Sequence, residues 1–146
     1  MADVHNPIVR SYNMSQIKGK DTAPELRVRS WLFSHGYRYR KNDKRLPGKP
    51  DIVLPKYKTV IFVHGCFWHR HGCKYTTMPK TRTEFWETKF SRNVERDQEH
   101  VRALEAAGWH VIIVWECEIN AKLFEITMHR VQNELEKTLV NKGELL

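Results

Sequence analysis

A chain of 146 residues with 40% hydrophobic composition can bury one ordinary core and leaves no room for a second. Its 25 Lys and Arg against 17 Asp and Glu give a formal charge of +8 and a pI near 9.5, the footprint of a protein that meets polyanions, although a plain solvated surface is the alternative. No stretch approaches the roughly 18 apolar residues of a membrane span, Met1 to Asn13 lacks a signal peptide's apolar run, and three cysteines cannot all pair, so a cytoplasmic, reducing setting without a membrane is expected.

Residues 1–20 carry Arg10, Lys18 and Lys20 among polar residues and are expected to form an arm, with 21–146 as one domain. Thr22-x-x-Glu25 has capping-box form, Leu26, Val28, Trp31, Leu32 and Phe33 supply a helical apolar face, and Gly36 suits the stop. Tyr37 to Arg40 alternates aromatic and basic residues and predicts a strand, followed by a basic loop to Pro50. Ile52 to Leu54 and Thr59 to Val63 are short β-branched runs whose turn-like separation, Pro55 to Lys58, predicts antiparallel pairing.

Gly65 to Arg82 shows neither strand nor helix period and is expected to be irregular. From Thr83 a helical face returns with Phe85, Trp86, Phe90, Val94, Val101 and Leu104, and Gly108 marks its end. Trp109 to Trp115 predicts a buried strand, and Lys122 to Leu139 a last amphipathic helix with Leu123, Ile126, Val131, Leu135 and Leu139 inward. The order argues an α/β fold, a mixed central sheet flanked by helices.

Two sets of residues carry chemistry. Cys66-x4-His71-x-Cys73 places three soft or borderline ligands in the irregular loop, and Cys117 follows the last strand, a set that suits closed, tetrahedral and therefore structural zinc. Unrelated cysteines beside a bystander His71 are the alternative. Pro50-Asp51 opens one strand while the next ends at His64, with His69 soon after, so a carboxylate able to hold Mg2+ and two imidazoles for proton transfer or phosphate contact can converge. Asp51 as a strand-opening turn residue is the plainer reading.

The runs Val60 to His69, Thr81 to Trp86, Asn93 to Asp97 and Val114 to Cys117 resemble the very short patch repair (Vsr) endonucleases, and Met14, Asp21 to Ala23 and Leu46 to Asp51 fit the same pattern. The resemblance implies a fold related to the PD-(D/E)xK (restriction-endonuclease-like) nucleases and a Mg2+-dependent nick 5′ of the thymine in a T·G mismatch left by deaminated 5-methylcytosine. It implies His69 as general base, Asp97 orienting it, His64 on the scissile phosphate, and Mg2+ held by Asp51 and the carbonyl of Val63. Glu25 matches an acid near that centre, though the capping box also accounts for it. Position 63 is Val63 where relatives often carry Thr, and the acid and lysine of the generic nuclease pattern are absent from Phe62-Val63-His64.

For substrate recognition the resemblance implies an aromatic wedge of Phe67, Trp68 and Trp86, with Met14 entering from the arm and Lys89 and Asn93 facing the mismatch. Burial around zinc is the other reading of the aromatics. The partner implied is double-stranded DNA with a T·G mismatch, with mismatch-repair proteins as candidate partners and a monomer as the expected state. Another sequence-specific endonuclease of this fold, or a zinc-stabilised DNA-binding module without catalysis, are the competing readings.

Overall fold

The computed structural model describes residues 22–70 and 78–141. Its regular elements are α1 (Ala23–Ser34), β1 (Arg40–Lys41), β2 (Ile52–Leu54), β3 (Thr59–His64), α2 (Cys66–His69), α3 (Thr83–Ala106), β4 (His110–Trp115) and α4 (Phe124–Asn141). The strands form one sheet in the order β1-β2-β3-β4. β1, β2 and β3 pair antiparallel, whereas β3 and β4 run parallel, from Thr59↔His110 to His64↔Trp115. The expected mixed sheet with flanking helices is thus observed.

Strand alternation sorts the side chains onto two faces. Ile52, Leu54, Ile61, Val63, Ile112 and Val114 meet Val28, Trp31 and Leu32 of α1 and Met128, Val131 and Leu135 of α4 in the larger core. On the opposite face Val53, Val60 and Phe62 pack with Leu104 of α3. All six residues of β3 are buried, as a central strand covered on both sides must be. His64 shares the face of Val60 and Phe62, and Asp51 shares the face of Val53, so both belong to the side that α3 covers.

Glycine stops act at both helix ends where they were expected. After α1, Gly36 takes φ +86°, its N–H reaches Phe33 O, and the Tyr37 N–H bonds Leu32 O. After α3, Gly108 (φ +91°) and Trp109 repeat the arrangement on Glu105 and Leu104. These bonds also correct two strand boundaries. Tyr37 and Trp109 spend their N–H groups on closing helices, so the ladders begin later, at Arg40 and His110.

Other expectations also need correction. The segment after Gly65 is not wholly irregular, because Cys66 to His69 makes one helical turn before Arg70 turns left-handed at φ +54°. The last helix begins at Phe124, since the Asn120 side chain takes the N–H groups of Lys122 and Leu123 in a turn. Leu26, Phe33, Phe85, Leu123 and Ile126 were expected on core faces and are exposed instead, while Met128 is fully buried. β4 is only half buried, with Ile112 and Val114 inward. No described helix is long and apolar enough to cross a membrane.

Candidate active site

The centre forms where the C-terminal end of β3 meets the start of β2 beneath α3. β3 delivers His64, the α2 turn carries His69 back over the sheet, and the middle of α3 contributes Asp97. These groups line a cavity of about 500 Å3 together with Glu25, Asp51 and Val63. The structure therefore brings together Glu25, Asp51, Val63, His64, His69 and Asp97, separated by as many as 72 residues in the chain.

His69 Nδ1 lies 2.5 Å from Asp97 Oδ2. Because the carboxylate accepts, Nδ1 carries the proton, and in the neutral ring Nε2 keeps its lone pair. The His64 ring stacks on His69 with centroids 3.8 Å apart and planes 4° apart, and Trp115 meets it edge-on at 5.3 Å. Burial, reinforced by the neighbouring His69, lowers the His64 pKa to about 4 against the opposing pull of Asp97, so this ring stays neutral near pH 7. Its Nδ1 is buried and has no hydrogen-bond partner among the described residues.

Asp51 accepts the Val63 N–H at 2.7 Å, so the two positions expected to share a cation are in contact. Burial raises the Asp51 pKa to about 7; the Val63 N–H pulls it down, Glu25 pushes it up, and Arg29 and His69 pull it down. A divalent cation fits such a carboxyl, since it would favour the ionised form that burial and Glu25 oppose. The ligand atoms of His64, His69 and Asp97 also lie within 4.8 Å of one another. A cation there would have to compete with the His69–Asp97 hydrogen bond, which makes Asp51 the better seat.

Glu25 serves two purposes. The Thr22 hydroxyl accepts its backbone N–H at 3.4 Å, as a helix cap does. Its carboxylate accepts from Arg29 at 3.2 Å, both side chains being buried, and borders the cavity beside Asp51. Arg29 went unnoticed in sequence; its i,i+4 spacing from Glu25 was the available signal.

Past β3, Cys66 is buried and its N–H donates to Glu116 Oε1 at 3.0 Å. Since His64 pairs with Trp115, Cys66 and Cys117 each stand two residues beyond the last pair of the same parallel ladder. The fold brings these two candidate zinc ligands to one end of the ladder. His71, Cys73 and Met14 lie outside the described residues, as do the side chains of Phe67 and Trp68. Trp86 is buried, stacks on Phe90 at 5.6 Å and lies under Lys89 Nζ, while Asn93 is half-buried one turn further along.

The family profile of DNA mismatch endonuclease Vsr matches residues 2–75. The chain is 52% identical over 122 residues to the Type II nicking enzyme V.NmeAIP of Neisseria meningitidis serogroup A, covering 84% of this chain and 87% of that one. It is 45% identical to the DNA mismatch endonuclease Vsr of Escherichia coli K12, covering 98% and 91%, and 50% identical to the Type II nicking enzyme V.XorIIP of Xanthomonas oryzae, covering 82% and 88%. An α/β sheet that gathers carboxylates and imidazoles in one cleft is, with these likenesses, that of a DNA endonuclease. The chain belongs to the Vsr family of DNA mismatch endonucleases.

Proposed function

We propose that this protein is a Mg2+-dependent nickase that cuts one DNA strand 5′ of the thymine in a T·G mismatch, opening repair of deaminated 5-methylcytosine. The observation that carries the reading is the His69–Asp97 pair set beside Asp51 in one cavity. A DNA-binding module without catalysis has no need of an oriented imidazole next to a buried carboxyl.

In this reading Asp51 and the Val63 carbonyl hold Mg2+, which when bound supplies Lewis-acid polarisation of the scissile phosphate and its attacking water. A carbonyl ligand makes valine at position 63 harmless. His69 takes the water proton at Nε2, while Asp97 fixes the tautomer and stabilises the imidazolium that results. His64, neutral and stacked on His69, keeps that ring in plane and meets the phosphate from the cavity wall. Glu25, neutralised in part by Arg29, keeps negative charge beside Asp51 and favours cation binding. Cys66, His71, Cys73 and Cys117 hold a structural Zn2+; the shared ladder end of Cys66 and Cys117 supports that set. Phe67, Trp68 and Met14 enter the base stack with Trp86, buried against Phe90, behind the wedge, and with Lys89 and Asn93 at the mismatch edges. A fold related to the PD-(D/E)xK nucleases is supported by the mixed sheet and by Asp51 at the start of β2.

The test incubates the protein and Mg2+ with matched and T·G duplexes in a CC(A/T)GG context, beside Asp51→Ala and His69→Ala. A nick confined to the T·G duplex and lost in both variants is expected. Cleavage of matched duplex would reassign the protein as a different sequence-specific endonuclease, and an Asp51→Ala enzyme as fast as the parent would remove the metal role.

A further inference from the structure

The loop joining β1 to β2 carries more backbone strain than its length requires. Asn42 (φ +47°), Gly48 (φ +76°) and Lys49 (φ +49°) are all left-handed, two of them without glycine's freedom. The loop is nonetheless tied down. The Asp43 carboxylate accepts from the Arg45 N–H, Nε and Nη2 at 2.9–3.0 Å, and the Asn42 and Lys49 N–H groups bond Asp51 O and Leu46 O. Gly48 rests against α3, where a Cβ would stand 2.9 Å from His100 Nδ1. Strain held in place like this, at the lip of a functional cleft, points to a role for what the loop presents.

It presents cations. Lys44 and Lys49 border the cavity from the loop, and Arg96 borders it from α3. All three are exposed, and none forms an ion pair among the described residues. Acids stand nearby but are engaged elsewhere: Asp51 with the Val63 N–H, Glu25 with Arg29, Asp97 with His69. The three positive charges are thus left for a ligand from outside, on two sides of the catalytic groups.

We infer that Lys44, Lys49 and Arg96 form a backbone clamp that binds the DNA phosphates on either side of the one to be cut. The clamp rests on the reading above, in which the scissile phosphate lies between Asp51 and His69. Phosphodiesters are the fitting partner, because a strand crossing the cleft offers one charge at each step and so meets cations on both sides of the catalytic groups.

The experiment is fluorescence-anisotropy titration of a labelled T·G duplex and a matched duplex across a NaCl series, without Mg2+ and without chelator. Each phosphate contact contributes about 0.9 to the slope of log Kobs against log salt. Lys44→Ala, Lys49→Ala and Arg96→Ala are each expected to flatten that slope by nearly one and to weaken binding several-fold on both duplexes. Lys49→Arg restores it. Lys49→Gly separates binding from folding, because glycine relieves the left-handed strain: affinity falls while the melting temperature holds or rises. Lys56→Ala, in the turn at the opposite end of the sheet, leaves the slope unchanged. Unaltered slopes in folded alanine variants overturn the clamp, as does an equal loss in Lys56→Ala. Flattened slopes in a protein that nicks neither duplex keep the clamp and remove the nickase reading; intact slopes with normal nicking do the reverse.

Discussion

Asp51 and His64 titrate in opposite senses, and that makes the centre's chemistry readable through stability. The folded pKa of Asp51 is raised to about 7, so its contribution to stability is present below its unfolded value near 4 and is lost as pH rises through 7. His64 is lowered to about 4, so its burial costs nothing above its unfolded value near 6.5 and destabilises the fold as pH falls from there toward 4. Asp51→Asn, whose amide oxygen still accepts from Val63, should raise the Mg2+-free melting temperature at pH 8 by several degrees, on the order of 2 kcal/mol after allowing for solvent at the cavity mouth. It should also steepen the fall in melting temperature between pH 6.5 and 4, because the opposing carboxyl is gone. Differential scanning calorimetry reads both effects, and a variant no more stable than the parent at pH 8 would refute them. Asp97→Ala leaves His69 without its orienting acceptor, and single-turnover nicking should slow by roughly 10²–10⁴-fold with DNA affinity little changed. At this scale much was legible: Asp51, His64, His69 and Asp97 were marked by residue type and by resemblance. The Cys66–Glu116 bond and the His64–His69 stack were not, because each depends on where separate elements dock.

Helix ends show which element boundaries a sequence can reveal. Gly36 and Gly108 announced their stops because left-handed closure favours glycine. The two-residue β1 has no period of its own to read, and the four-residue α2 is barely one turn, too short for a helical period to repeat. The start of β4 was misread by one residue because Trp109 spends its N–H on closing α3. Two glycine substitutions separate conformational from contact effects. A Cβ at Gly108 meets only Lys58 Cε at 3.9 Å, so Gly108→Ala should cost about 1–2 kcal/mol through φ alone and leave nicking intact. Gly48→Ala adds the collision with His100, so it should lower both melting temperature and DNA affinity, and His100→Ala should recover part of the loss. Melting curves and binding isotherms of Gly108→Ala, Gly48→Ala and the Gly48→Ala/His100→Ala double variant check this.

Across the whole molecule, the sequence foretold one α/β layer arrangement and a polyanion-binding charge, and both suit a nuclease of this family. The direction of β4 was not legible, since parallel pairing with β3 depends on a long crossover and not on local pattern. If zinc joins the four ligands named above, elemental analysis should find one equivalent per chain. Its removal by chelation should cost several kcal/mol of stability and abolish nicking even after Mg2+ is resupplied in excess. A folded, active protein free of zinc would discard that set.

The parallel ladder also sets an order in time. His64 and Trp115 close a loop of about fifty residues, a slow step for a chain this size. The α3 helix, by contrast, draws on contacts close in sequence. During refolding, helical circular dichroism should therefore recover before nicking competence, and the delay between the two signals would time the docking of β4 against β3.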